Sequence, residues 1–366
     1  YCQARTRLPE RFFERTLEET AGTLDSDLPP ERLWLGRHRV FGTDGSSAQT
    51  PDTPANRHAW GLPPNVTPGC GFPVVPFVGF FSLLTGALVR VVIGKKGTHE
   101  RRMFRAGSGF LRPGDVAVGD RGFCSYADLA QQMRRGVHAV YRIFNREPDF
   151  RTGDRLGPDD HIATWVKPKT CPRGITRREF CRLPEELHVR EIGIRVDNKG
   201  FRSKEIFVVT TLLDPEQYPR DEIAALYLRR WEVELDFRHI KTALGMEMLS
   251  TETPGMIRKE IMTYMIAYNM IRVLMWNAGM TAGEDPLRLS FTGTVQHLEH
   301  MSPHLGSAPT VEEHGRLVGV LYRFIASTRL PDRPGRAEPR VRKRRPKNYP
   351  LLTRPRNELK RERGRN

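Results

Sequence analysis

The stretch Tyr227-Leu-Arg-Arg-Trp-Glu-Val-Glu-Leu-Asp-Phe-Arg-His-Ile-Lys241 decides the fold. No Pro or Gly interrupts residues 221–244, so the spacing predicts one continuous helix turning about 100° per residue. With Tyr227 at zero, Arg230, Glu234 and Lys241 fall at about 300°, 340° and 320°, so four different polar groups share one arc. Leu226, Val233, Phe237, Ile240 and Leu244 fill the adjacent arc and form the expected buried stripe. Surface charge on a helix normally lies opposite the core; here the polar row sits on its shoulder, where a cleft wall lies. The bland alternative is a solvated face on which Glu234 pairs with Arg230 or Arg238 to little effect. His239 lies about 120° from Tyr227 and is expected at the surface.

Upstream, residues 39–43 read as a strand that delivers Asp44 at its end, just before Gly45-Ser46-Ser47. Strands are expected at 72–79 and 87–93, a helix at 98–105, a strand at 115–120 ending in Asp120, a helix at 126–135 and a strand at 137–144. Three strands, a helix, a strand, a helix and a strand follow the ribonuclease-H-like plan, an α/β fold with a mixed sheet flanked by helices. Its first and fourth strands are neighbours, which brings Asp44 beside Asp120. Residues 49–68 read as an extended loop, and 1–36 as helical, with Phe12, Phe13, Leu17 and Leu24 on one face. The 114 positions from Asp120 to Glu234 are too many for a loop. Strands are expected there at 175–182, 189–196 and 205–213, with a turn at 197–200. Further on, helices are expected at 255–278, with Arg258, Lys259, Tyr268, Asn269 and Arg272 at the edges of its apolar face, and at 311–326. The organisation expected is an N-terminal helical segment (1–36), a first core part (37–145), a β-rich insertion (146–217), a second core part (218–330) and a basic tail (331–366).

The spacing Tyr-(2)-Arg-(3)-Glu-(6)-Lys resembles the YREK signature of insertion-sequence DDE transposases, the IS-four-like family. The match is complete at Tyr227, Arg230, Glu234 and Lys241, and Trp231 and Leu235 are also typical. Asp44-Gly-Ser-Ser with Pro51-Asp-Thr-Pro-Ala-Asn56, and Asp120-Arg-Gly-Phe123, look like the first and second acidic motifs of the same family. The resemblance implies metal-dependent cleavage at element ends and strand transfer into a target. Asp44, Asp120 and Glu234 would be the catalytic carboxylates and the metal ligands. Hard oxygens suit two Mg²⁺ ions, with Mn²⁺ able to substitute and Asp44 bridging the pair. Tyr227, Arg230 and Lys241 would bind DNA phosphates. Double-stranded DNA is then the partner, both as element end and as target, and synapsis of two ends implies a homodimer. The β-rich insertion is also a family trait; Trp165, Lys167 and Lys169 lie within it.

The bulk numbers agree. A chain of 366 residues, 38% hydrophobic and 28% charged, buries a sizeable core, and no apolar run approaches the roughly 18 residues of a membrane span. A net charge of +16 and a pI near 10.0 call for a polyanion such as nucleic acid. Residues 331–366 carry 14 Lys or Arg against 4 acids, or +10, and read as a disordered phosphate-gripping tail. Five cysteines, Cys2, Cys70, Cys124, Cys171 and Cys181, lack CxxC spacing, which points to a reducing cytoplasm and away from structural zinc. The chain opens on Tyr1, so an upstream segment is expected. Two other classes fit less well: a non-catalytic DNA-binding derivative of a transposase, and a ribonuclease-H-like host nuclease.

Overall fold

A computed structural model describes residues 2–26, 28–63, 70–144, 146–172, 174–195, 205–331 and 354–363. The chain begins with helices α1 (Cys2–Arg7) and α2 (Glu10–Asp25), then strand β1 (Val40–Gln49), helix α3 (Pro54–Trp60), and strands β2 (Val74–Ser82) and β3 (Leu88–Ile93). Helix α4 (Glu100–Gly107), strand β4 (Val116–Gly119), helix α5 (Tyr126–Arg134) and strand β5 (His138–Arg142) follow. Next come β6 (Asp154–Gly157), β7 (Asp160–Val166), α6 (Arg177–Cys181), β8 (Glu186–Arg195) and β9 (Glu205–Thr210). The remainder is helical: α7 (Arg220–Leu228), α8 (Trp231–Arg238), α9 (Pro254–Ala282), α10 (Phe291–Gly306), α11 (Val311–Ser327) and α12 (Arg356–Arg363).

All nine strands belong to one mixed sheet in the order β3-β2-β1-β4-β5-β9-β8-β7-β6. β1 pairs antiparallel with β2 and parallel with β4, and β4 pairs parallel with β5. Strict alternation along the central strands feeds two cores. Val116, Val118 and Val140 face α8 and α9, whereas Ala117, Ala139 and Tyr141 face α4 and α5. The fold class is therefore mixed α/β with a large sheet covered by helices on both faces.

Several expectations give way to local physics. Residues 54–60 are helical rather than looped because Thr53 caps the helix, accepting from the Asn56 N–H, and Pro54 sits in its first turn. Residues 177–181 form a helix rather than a strand because Thr176 and Glu179 make a reciprocal capping box. The strands at 189–196 and 205–213 are found as β8 and β9, and β9 pairs with β5, so their sheet continues the central one. The turn expected at 197–200 and most of the basic tail lie outside the described residues; within the tail, residues 356–363 are helical.

The long helix α9 also differs from the reading of its polar edge. Lys259, Tyr268, Asn269 and Arg272 are buried. Asn269 accepts from the Leu88 N–H at 2.9 Å and donates to the Leu88 carbonyl at 2.9 Å, capping edge strand β3 as another strand would. Arg272 reaches Asp236 on α8 and Tyr268 Oη at 2.8 Å, and that phenol donates to the Gly86 carbonyl. Of the described helices, none is long and apolar enough to cross a membrane.

Two glycines let α8 lie directly on the sheet. A Cβ on Gly42 of β1 would stand 2.5 Å from Val233 Cγ2, and one on Gly79 of β2 would stand 2.8 Å from Phe237 Cζ. Both contacts are shorter than side chains tolerate, and both are with the buried stripe of α8. Gly42→Ala is accordingly expected to lose about 1–3 kcal/mol in denaturant unfolding through overpacking. It should also impair any activity that depends on Glu234, because relief of the clash moves α8 off β1.

Candidate active site

The parallel pairing of β1 with β4 ends at Thr43 opposite Gly119. β1 continues against β2 to Gln49, which also bridges Met248, so Asp44 lies inside a strand and not at its end, but at the first position beyond β4. Asp120 is the residue after Gly119. On this register both carboxylates leave the same face, about 4.8 Å apart at their backbones. Gly119 in turn stands opposite Tyr141, which puts Arg142 next in the same row. Asp44 Oδ1 accepts from the Gly45 N–H at 2.8 Å, and Asp120 Oδ1 from the Gly122 N–H at 2.7 Å, so each carboxylate is oriented by its own turn of backbone.

The signature stretch supplies the opposite wall, as three segments rather than one helix. Between α7 and α8 the chain tightens into bonds spanning three residues, from Arg230 N to the Tyr227 carbonyl (3.1 Å) and from Glu232 N to the Arg229 carbonyl (2.8 Å). Arg229 holds that corner, its guanidinium bonding the Leu83 carbonyl and Glu232. After α8, residues 239–243 widen into a π turn. Tightening advances the phase of the helix and widening retards it. The expected stripe survives: Leu226, Val233, Phe237 and Ile240 are buried, with Leu244 packed against the same core.

The polar row converges on the strand ends. Arg230 Nη2 donates to Glu234 Oε1 at 3.0 Å, and its guanidinium covers the Trp231 ring at 4.9 Å. Lys241 Nζ donates to Ser46 Oγ at 3.2 Å, two residues beyond Asp44 on the same face of β1. Tyr227 is only 3% exposed, and its phenol lies close enough to Arg230 to feel its charge. Burial pushes that phenol up, against the lowering influence of Arg230 and Arg142. Tyr227 therefore faces the protein, behind Arg230. His239 is half-buried, its ring stacked on Phe291 at 4.7 Å, and takes no part in the row.

Electrostatics confirm that these groups share one field. Burial pushes the Asp44 carboxyl up from 3.8 to about 6; the Gly45 N–H and Arg230 oppose the shift, and Asp120 and Glu234 reinforce it. Arg230 is the one cation of the row that is buried, and its pull on Asp44 is outweighed by burial. The donors of the three acids are all hard carboxylate oxygens, the chemistry that suits a divalent cation such as Mg²⁺. Among the described residues no three His, Cys, Asp or Glu side chains are already gathered into a metal-holding group. Sequence reasoning missed Arg142 and Ser46. Arg142 closes its strand in the row of Asp120, and Ser46 follows Asp44 at the two-residue period of a strand; both are visible only once the strand register is known.

Comparison with known proteins agrees with this geometry. A family model described as Transposase DDE domain matches residues 36–270, which contain every residue of the row. Transposase InsG for insertion sequence element IS4, from Escherichia coli, is 30% identical over 359 residues, covering 95% of this chain and 77% of that protein. Among solved structures, the cryo-EM structure of the piggyBac transposase synaptic complex with hairpin DNA aligns with a TM-score of 0.42 and 12% identity, covering 88% of this chain and 66% of that one. With most of its length matched at both levels of sequence comparison, the chain belongs to the DDE transposases of the IS4 kind, enzymes that cleave DNA and transfer strands.

Proposed function

We propose that Asp44, Asp120 and Glu234 are the catalytic carboxylates of this transposase and the ligands of its divalent ions, and that Mg²⁺ is the natural cation. The observation that carries the reading is the shared register of Asp44 and Asp120, with Glu234 held against them by the close packing of α8 on Gly42. When bound, a pair of divalent ions supplies an activated water or 3′-hydroxyl and stabilises the departing oxygen. The protein's own part is to fix the oxygen ligands on rigid elements. Asp44, at the centre of the row, would hold the ions together with Asp120 and Glu234.

Lys241 and Arg230 bind the phosphates flanking the scissile bond, the first as a point charge and the second through a planar fork. Tyr227 contributes through Arg230, which it supports from the core side. Double-stranded DNA is the substrate at the element end and at the target, in keeping with a net charge of +16. Two ends brought together call for a homodimer. The sheet from β3 to β5 with its helices is the ribonuclease-H-like core, completed by residues 218–330, and residues 146–217 are its insertion. The location that fits is the bacterial cytoplasm, where the free thiols of Cys70, Cys124, Cys171 and Cys181 are stable.

Glu234→Gln and Asp120→Ala should each abolish Mg²⁺- or Mn²⁺-dependent cleavage of a plasmid-borne element while leaving duplex binding intact. Binding and folding lost together would refute the assignment. Lys241→Ala should weaken binding to all duplexes alike and make the plot of log affinity against log salt shallower by about one unit. The raised Asp44 carboxyl also predicts a pH effect on stability in chelator. Its folded form holds a proton more tightly than the unfolded chain, so stability falls as pH rises from 3.8 to about 6. Asp44→Asn should therefore unfold later than wild type above that range, by on the order of 2 kcal/mol, with the advantage fading toward pH 4.

A further inference from the structure

A phosphate contact alone does not account for the surroundings of Arg230. Its side chain is 9% exposed, laid over the Trp231 ring and close to the buried Tyr227 phenol. Its charge is felt at Asp44 as well as at Glu234. A guanidinium keeps its proton at any pH the protein meets. Arg230 is thus a permanent positive charge facing two of the three carboxylates proposed to take metal, and it already occupies one of them. Glu234 itself is 38% exposed, so the outer side of the pair is open to an incoming group.

We infer that Arg230 is a positioning residue for Glu234: it holds that carboxylate in the DNA-free enzyme and surrenders it when a DNA phosphate takes over the guanidinium. The exchange replaces one charge-assisted anion contact with another of the same kind, since a carboxylate and a phosphate diester offer the same fork a pair of oxygens. It is therefore cheap once the phosphate is in place. A freed Glu234 can then complete the ligand set with Asp44 and Asp120. Guanidinium and divalent cation compete for one carboxylate, so DNA and metal must each favour the binding of the other. The chemistry is thereby confined to enzyme already seated on DNA. This inference rests on the proposed roles of the three carboxylates.

The test is a Mn²⁺ titration of the full chain by electron paramagnetic resonance. It is run alone and with a pre-cleaved duplex ending in the element's terminal repeat, which leaves nothing to cut. Wild type should bind Mn²⁺ about tenfold tighter with the duplex than without it. Arg230→Gln should bind Mn²⁺ without DNA as tightly as wild type does with it, and gain nothing further from the duplex. Arg230→Lys, a point charge in place of the fork and the variant to use if the glutamine form does not fold, should keep only part of the coupling. An Arg230→Gln protein with unchanged or weaker DNA-free Mn²⁺ affinity, or an Arg230→Lys protein with the full wild-type coupling, would overturn the inference. Failure of the carboxylate reading looks different: Mn²⁺ binding would then be indifferent to Glu234→Gln in both states.

Discussion

Two parallel strands that stop pairing at the same level are the constraint on which the site depends. β4 ends at Gly119 while β1 runs on to Gln49, and the step between them is where Asp44 and Asp120 emerge together. Backbone hydrogen bonds set their separation, so bringing like charges together requires no side-chain ordering at the moment of use. Everything else in the neighbourhood follows from keeping that step intact. Gly42 and Gly79 remove two side chains so that α8 can lie flat on β1 and β2, and the ridge of Val233 and Phe237 fills the space. Glu234 follows Val233 and is carried toward the step with it.

The cost of the arrangement appears in its charges. An acid at the centre of a half-buried acidic row keeps its proton up to about pH 6, and the buried guanidinium beside it is already bonded to Glu234. Arg272 and Asp236 on the far side of α8 show the contrasting case: a buried ion pair held by Tyr268, which ties α8 to α9.

Much of this was legible in the amino-acid order. Alternation found every strand of the catalytic half, and the arc of Tyr227, Arg230, Glu234 and Lys241 was visible from spacing alone. Corners were not legible. The break at Arg229 contains neither Gly nor Pro; it is imposed by the Leu83 carbonyl, a partner 146 residues away in sequence. The helix at 177–181 lies in the stretch 175–182 that reads as a strand, and a capping box decides it instead. Burial of Asn269 and Arg272 escaped notice because a polar residue is assumed to face water until its partner is known. The burial of Tyr227 was hidden in the same way: the arc gave its angle but not its depth.

Asn269 has a consequence beyond α9. A sheet of nine strands has two outer strands, and each offers a ladder of unused backbone groups to any passing chain. On β3 the amide of Asn269 already satisfies the outward N–H and C=O of Leu88, so an approaching strand meets a helix where it needs a partner. On β6, four residues long and broken by an irregularity at Arg155 and Gly157, brevity, a kink and the exposed charges of Asp154 and Arg155 protect the edge. The molecule is therefore polarised in how it tolerates company. The end nearest α9 is sealed against strand addition, and the end built from residues 154–157 is where unwanted polymerisation of a concentrated sample would begin.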